Sequence, residues 1–244
     1  MFEIFKKIFS EKEPYNYKVD IHSHLIPAID DGAKSMQDSI ELIKGLHSLG
    51  FQKIITTPHT MSHRFLNSKE TILEGYKNVQ AELIAQDIDI VLEVASEYYL
   101  DEYFLELLSK EKLLTFGDNY LLFEHSVGLK PANYENNIFE IKVAGYQPVL
   151  AHPERYIFMH RDFKIYERLK EQGVLFQLNL NSLGGYYSKE VAKVAHRLVD
   201  AGFIDFIGSD THHQTHLKHL KQNLNYKQIE HIFLKNTILN EQLL

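Results

Sequence analysis

Lys18-Val19-Asp20-Ile21-His22-Ser23-His24 reads as an apolar strand that ends in two imidazoles on one face. On extended backbone, residues two apart point the same way, so His22 and His24 can grip one cation from the end of a single strand. An Asp30-Asp31-Gly32 turn follows within reach, as a metal site would need. Outward from this stretch, short apolar runs alternate with amphipathic ones. Strands are expected near Lys18–His22, Lys53–Thr57, Ile90–Ala95, Tyr120–Glu124, Pro148–Ala151, Leu175–Leu180 and Phe203–Gly208. Between the first two, Ser35 is placed to N-cap a helix with Asp38 three residues on, and the series Ile40, Ile43, Leu46, Leu49 stops at Gly50. Further helical patterns run about Ser68–Ala85, with Asn67 and Glu70 as its opening pair, Glu102–Ser109, Asn136–Ala144, Asp162–Glu171, Ser188–Asp200 and Lys227–Lys235. Gly145, Gly173 and Gly202 each end a helix before the next strand. Repeated strand-then-helix units imply parallel strands, and the economical α/β fold is an irregular seven-stranded (β/α)7 TIM-like barrel.

Composition narrows the chemistry. The 244 residues suit one large domain, and no apolar run approaches the roughly 20 residues of a spanning helix. Cysteine is absent, which removes disulfides, thiolate metal sites and thiol nucleophiles and fits a reducing, cytoplasmic setting. A net charge of -7 without Lys/Arg clusters argues against nucleic acid as a partner. Histidine is unusually frequent at fourteen residues, and neutral imidazole is the commonest metal ligand. The N-terminal extension, residues 1–16, places Phe2, Phe5, Ile8 and Phe9 on one face and Lys6 and Lys7 opposite. A peripheral membrane contact is one reading of this face. Packing on its own domain or on a partner subunit, as in a homo-oligomer, is the other.

Polar residues placed on this map recur at one end of it. His22 and His24 end the first strand, His59 the second, Glu124 the fourth and His152 the fifth; Glu97 follows the third, and Asp210 and His212 the seventh. In β/α barrels that carboxyl-end rim is where active sites are assembled from several strands. A lone rim histidine or carboxylate is usually structural or solvating. Their joint recurrence points to one polynuclear metal site.

At these residues the chain resembles a known family. Asp-Ile-His-Ser-His with the following Asp-Asp-Gly, then Thr-Pro-His, Ser-Glu-Tyr-Tyr, Ala-His-Pro-Glu-Arg-Tyr and Gly-Ser-Asp-Thr-His are similar to the motifs of the PHP (polymerase and histidinol phosphatase) superfamily. Within it they most resemble the bacterial protein-tyrosine phosphatases of capsule and exopolysaccharide loci, the CpsB/YwqE-like group. The resemblance runs from about Val19 to the last helix, so residues 17–244 are expected to form the phosphatase domain. It implies an irregular seven-stranded barrel holding up to three metal ions, commonly Mn2+.

Carried over by position, the resemblance implies that His22, His24, Glu97 and Asp210 surround a first metal. Glu97 would bridge to a second, held also by Glu124 and His152, and Asp31, His59 and His212 would hold a third. A nitrogen and oxygen shell without sulfur suits Mn, Fe or Zn. Bridged cations roughly 3.5–4 Å apart can hold a hydroxide, the expected nucleophile. Arg155, three residues after His152, is the first candidate for a phosphate-binding guanidinium, and Arg64 the second. Related phosphatases often carry another Arg after the Asp-x-His motif, yet residues 213–219 here contain none, which leaves His216 or Lys218 as substitutes. Tyr98, Tyr99, Tyr186 and Tyr187 lie near rim loops, where they could flank a phosphotyrosyl ring or simply pack. His125 and His213 adjoin proposed ligands as supporting groups; His47, His160, His196 and His231 read as surface or packing residues, and Gly184-Gly185 as a turn. The implied partner is a phosphotyrosine protein, an autophosphorylated bacterial tyrosine kinase. A small-molecule phosphatase such as a histidinol-phosphate phosphatase, or a metal-bound regulatory module without turnover, are the competing readings.

Overall fold

The computed structural model describes residues 17–110, 112–131, 133–223 and 225–244. The amphipathic face expected within residues 1–16 lies outside the described residues. In chain order the elements are β1 (Val19–Asp20), α1 (Met36–Ser48), β2 (Lys53–Thr56), β3 (His59–Thr60), α2 (Lys69–Ala85), β4 (Val91–Val94) and β5 (Glu97–Tyr99). They continue with α3 (Glu102–Lys110), β6 (Tyr120–Glu124), α4 (Tyr134–Val143), β7 (Gln147–Ala151), α5 (Lys164–Glu171), β8 (Leu175–Asn179) and the short α6 (Leu180–Leu183). Then come α7 (Lys189–Asp200), β9 (Phe206–Gly208), α8 (Gln214–Asn223) and α9 (Tyr226–Lys235). Among the described residues no helix is long and apolar enough to cross a membrane.

All ladder pairings are parallel, in a three-stranded sheet β1-β2-β4 and a six-stranded sheet β3-β5-β6-β7-β8-β9. This corrects the expectation of seven unbroken strands, because the second and third strands each split in two. Between β2 and β3 stands Pro58, which has no amide to donate. Opposite it, between β4 and β5, the Ser96 hydroxyl donates to Pro58 O at 2.9 Å. The two sheets stay stitched there by Ala95 N to Thr56 O (2.9 Å) and Glu97 N to Pro58 O (3.1 Å). At the other junction Ser23 and Thr211 form a parallel bridge, and Asp210 N donates to His22 O at 2.7 Å. The last strand begins at Phe206 rather than Phe203, since Phe203 N turns back to Leu198 O.

Side-chain alternation builds two cores. Leu121 and Phe123 of β6 join the larger cluster shared with the helices, while Leu122 between them joins Val19, Ile55, Val149 and Phe206 in a second cluster drawn from strands of both sheets. Helix caps follow the expected chemistry at Ser35, whose hydroxyl accepts from Asp38 N at 3.2 Å. Helix α2 is a correction: its cap is Ser68, accepting from Thr71 N at 3.2 Å. Asn67 instead donates through Nδ2 to Ile29 O (2.9 Å) and His59 O (2.8 Å), tying together two rim loops. The C-terminal turn Leu239–Leu243 closes the opposite end, where Asn240 donates to Val19 O and Ile207 O at 2.8 Å each and accepts from Ile207 N at 2.9 Å.

Candidate metal centre

The nine rim residues singled out by the sequence converge on one cleft. Glu97, at the start of β5, is fully buried with Oε2 at the middle of the group. That oxygen lies 3.1 Å from His59 Nδ1, 3.2 Å from His22 Nε2 and 3.4 Å from His24 Nε2. Its other oxygen is 3.1 Å from His152 Nε2, and Glu124 Oε1 is 3.1 Å from His59 Nδ1. Asp210 Oδ1 stands 3.5 Å from both His22 Nε2 and His24 Nε2, and 3.3 Å from His212 Nδ1. Asp31 Oδ1 sits 3.4 Å from the Nε2 atoms of His59 and His212. The potential donor sets are His22/His24/Asp210, His22/Glu97/His152, His59/Glu97/Glu124 and His24/His59/His212.

The imidazoles are oriented from behind. His22 Nδ1 donates to Gln177 Oε1 at 2.7 Å, and His24 Nδ1 to Asp30 Oδ2 at 2.8 Å. Each bond fixes a tautomer whose Nε2 presents a lone pair, and those two Nε2 atoms face one another at 3.2 Å. Glu97 Oε2 and His59 Nδ1, both buried, have no hydrogen-bond partner. Lone pairs meeting lone pairs among buried side chains are tolerable only with positive charge between them. Burial opposes ionisation of Glu97, yet the His22 and His59 charges outweigh it and hold its pKa well below the carboxylate range. Burial likewise disfavours a proton on His22, but Glu97 and Asp210 reverse the balance and push its pKa up. The field that draws protons onto these rings draws cations just as well. The donor set, nitrogen and oxygen without sulfur, fits divalent metal ions.

Backbone geometry underlies the convergence. His152 and Asp210 both adopt left-handed conformations, with φ of 36° and 50°. Such torsions are uncommon outside glycine and swing each side chain inward where its strand ends. Gly208 makes room for His22: a Cβ there would stand 2.7 Å from His22 Cβ and 2.8 Å from Gln177 Nε2.

The two arginines behave differently. Arg155 donates from Nη1 to Asp210 Oδ2 at 3.0 Å and lies 4.4 Å over the Tyr187 ring, on the wall of the cleft. Arg64 is 61% exposed, 3.4 Å from Asp31 Oδ2 and stacked on Phe65. The cleft between them encloses about 510 Å³, with Met61, Phe65, Tyr99 and Val127 among its walls. Tyr98 takes the packing alternative: it is buried in the core, where its hydroxyl accepts from Leu114 N at 2.8 Å. His216 lines the cleft, whereas Lys218 is exposed and lies off it. Burial holds the His216 pKa down to about 4, so this ring does not replace a guanidinium charge. His125 stacks on Tyr156 at 3.8 Å and His213 on His216 at 4.0 Å; both wall the cleft without a hydrogen bond to the nine residues.

Sequence reasoning missed several supporting groups. Asp30, which the sequence shows only as part of a turn, orients His24 and also accepts from His59 N at 3.1 Å. Asp20 accepts from Ser209 N (2.8 Å) and Ser209 Oγ (2.6 Å), joining the first strand to the last. Gln177 and Asn179 come from β8, the strand to which no site residue had been assigned. Asn179 Nδ2 donates to Asp210 Oδ2 at 2.7 Å and to the Tyr187 hydroxyl at 2.9 Å. An empty place in an otherwise filled rim was the signal that could have found them.

Residues 18–238 match the family model described as "Capsular polysaccharide synthesis, CpsB/CapC". The chain is 32% identical over 195 residues to tyrosine-protein phosphatase YwqE of Bacillus subtilis (strain 168), covering 80% of this chain and 77% of that one. It is 29% identical over 215 residues to the putative tyrosine-protein phosphatase CapC of Staphylococcus aureus, covering 87% and 84%. A chain from the crystal structures of YwqE from Bacillus subtilis and CpsB from Streptococcus pneumoniae, described as unique metal-dependent tyrosine phosphatases, superposes with a TM-score of 0.82. Its identity is 30%, with 92% of this chain and 93% of that one covered.

Proposed function

Because the chain belongs to the CpsB/CapC family of capsular polysaccharide synthesis, we propose that it is a metal-dependent protein-tyrosine phosphatase that hydrolyses phosphotyrosine on proteins. The observation that carries this reading is the meeting of His22 Nε2, His24 Nε2, His59 Nδ1 and Glu97 Oε2 in one buried group, with the first two rings held from behind by Gln177 and Asp30. His22, His24, Glu97 and Asp210 would hold one ion; Glu97, Glu124 and His152 a second; Asp31, His59 and His212 a third. Mn2+ is the ion we assign, with Fe and Zn compatible with the same donors. The substrate we assign is an autophosphorylated bacterial tyrosine kinase controlling capsule or exopolysaccharide synthesis, met in the cytoplasm. Residues 17–244 form the phosphatase domain. The two sheets are read as one irregular seven-stranded barrel, supported by the Ser23–Thr211 bridge and the hydrogen bonds that carry β2 and β4 into β3 and β5.

Bound metal ions supply Lewis acidity toward the phosphoryl oxygens and a water nucleophile at neutral pH. The chain's own residues do the rest. Gln177 and Asp30 keep protons on the Nδ1 atoms of His22 and His24, so that both Nε2 atoms stay bare. Arg155 is steadied by Asp210 and the Tyr187 ring, and its guanidinium has N–H donors beyond the one Asp210 accepts, suited to phosphate oxygens. Phe65, Met61 and Val127 offer apolar wall to an aryl ring and limit water. A phenolate, with a pKa of about 10, leaves with less help from an acid than an alkoxide does. Chelation should silence turnover of a phosphotyrosine peptide, and Mn2+ should restore it, while thiol alkylation changes nothing. Undiminished turnover in metal-free protein overturns the reading.

A further inference from the structure

A second cavity, of about 740 Å³, opens beside the metal cleft and shares Val127, Arg155 and Tyr187 with it. It lies between the loop after β7 and the outer face of α7. Its apolar lining includes Ile157, which is 60% exposed, and Val194. Its rim is cationic. Lys193 and Arg197 project from α7 one turn apart, and Arg161 faces them from the loop. Among the described residues none of these three makes a salt bridge, and Arg197 lies over the Phe163 ring at 3.8 Å. Glu190 is the one carboxylate in the lining. On a chain of net charge -7, a groove whose exposed cations lack acidic partners is a local reversal of sign.

We propose that this groove is the substrate-specificity subsite of the enzyme, seating an acidic peptide segment that flanks the phosphotyrosine on the same substrate chain. The inference rests on the phosphatase reading, because continuity with the metal cleft is what puts the flanking residues there. A phosphotyrosyl side chain entering past Tyr187 and Arg155 leaves its backbone at the border between the two cavities. Asp and Glu side chains then meet Arg161, Lys193 and Arg197, and apolar side chains meet Ile157 and Val194. Exposed pairs of this kind are worth a factor of about two to five each and weaken with salt. They act on encounter and binding rather than on the chemical step.

The test compares three phosphotyrosine peptides, with acidic, neutral or lysine-rich flanks, and para-nitrophenyl phosphate, which has no flank. Metal-loaded full-length enzyme and the Arg161→Glu/Lys193→Glu variant are assayed at low and high salt. Wild type should favour the acidic peptide over the neutral one through KM, and salt should erase the preference. The double variant should lose on the order of tenfold in kcat/KM on the acidic peptide, gain on the lysine-rich one, and keep para-nitrophenyl phosphate turnover unchanged. That unchanged turnover also reports that the variant is folded. Equal kcat/KM of wild type on all three peptides, with para-nitrophenyl phosphate hydrolysed normally, overturns the subsite and leaves the phosphatase reading standing. Failure to hydrolyse any of the four substrates overturns the phosphatase reading, and the subsite with it.

Discussion

Glu97 stands where three imidazole nitrogens meet a single carboxylate oxygen, and its other oxygen meets a fourth, on His152. Glu97→Gln keeps the shape and removes the charge. Since perturbing groups that merely support a ligand costs 10–100-fold in metal affinity or activity, this change should cost more than about 100-fold in turnover. Peptide turnover, metal content and circular dichroism check it together; wild-type turnover in the folded variant sinks the cluster. Arg155 poses a separate question, because it touches Asp210 as well as the cleft. If its guanidinium serves the phosphoryl group, Arg155→Ala should lose about 10²–10³ in rate and Arg155→Lys nearly as much, with metal content unchanged. Metal lost along with activity would instead assign Arg155 to holding Asp210. At Gly208, alanine would press a methyl against His22 and the Gln177 amide. Overpacking there should cost about 1–3 kcal/mol and weaken metal binding, read by denaturation and by metal titration.

Strands and helices were legible where their signals are local. Ser35, the apolar series of α1 and the alternation in β6 each depend on neighbours a few residues away. The split of the second and third strands was not, although Pro58 was in plain view. It involves Ser96, 38 residues on, whose hydroxyl joins Glu97 N in donating to the Pro58 carbonyl. The same distinction divides the site. Imidazoles and carboxylates at strand ends declare themselves, whereas Gln177 and Asn179 are ordinary residues until the fold sets them against His22 and Asp210. Asn240 belongs to this silent class, joining β1 and β9 by three bonds across gaps of 33 and 221 residues. Orphaning buried backbone groups costs about 1–3 kcal/mol each. Asn240→Ala should therefore lower the melting temperature by roughly 5 °C or more, at about 2–4 °C per kcal/mol for a chain of this size. A melt indistinguishable from wild type would mean that the C-terminal turn contributes little to closing the sheets.

For the molecule as a whole, the cleft is a concentration of unpaired lone pairs that metal ions relieve only in the folded state. Mn2+ at a hundred times its dissociation constant should stabilise the protein by about 2.7 kcal/mol per site. That is a rise of roughly 5–10 °C in the melting temperature, which chelator should reverse. A melt insensitive to metal would argue that the imidazoles carry protons instead. The clamp between the first strand and the last also sets an order of events. His22 and His24 are made first, but Ser209, which grips Asp20, follows that residue by 189 positions, with Asp210 beside it. At the 5–20 residues per second of protein synthesis, the early half of the site waits roughly 10–40 s for the late half. A nascent chain that has released His22, His24 and Glu97 has the beginnings of a metal trap but not the carboxylate that completes it. Synthesis past residue 210 is thereby coupled to the onset of activity, and a chain released through a stop codon before that residue lacks the carboxylate its site needs.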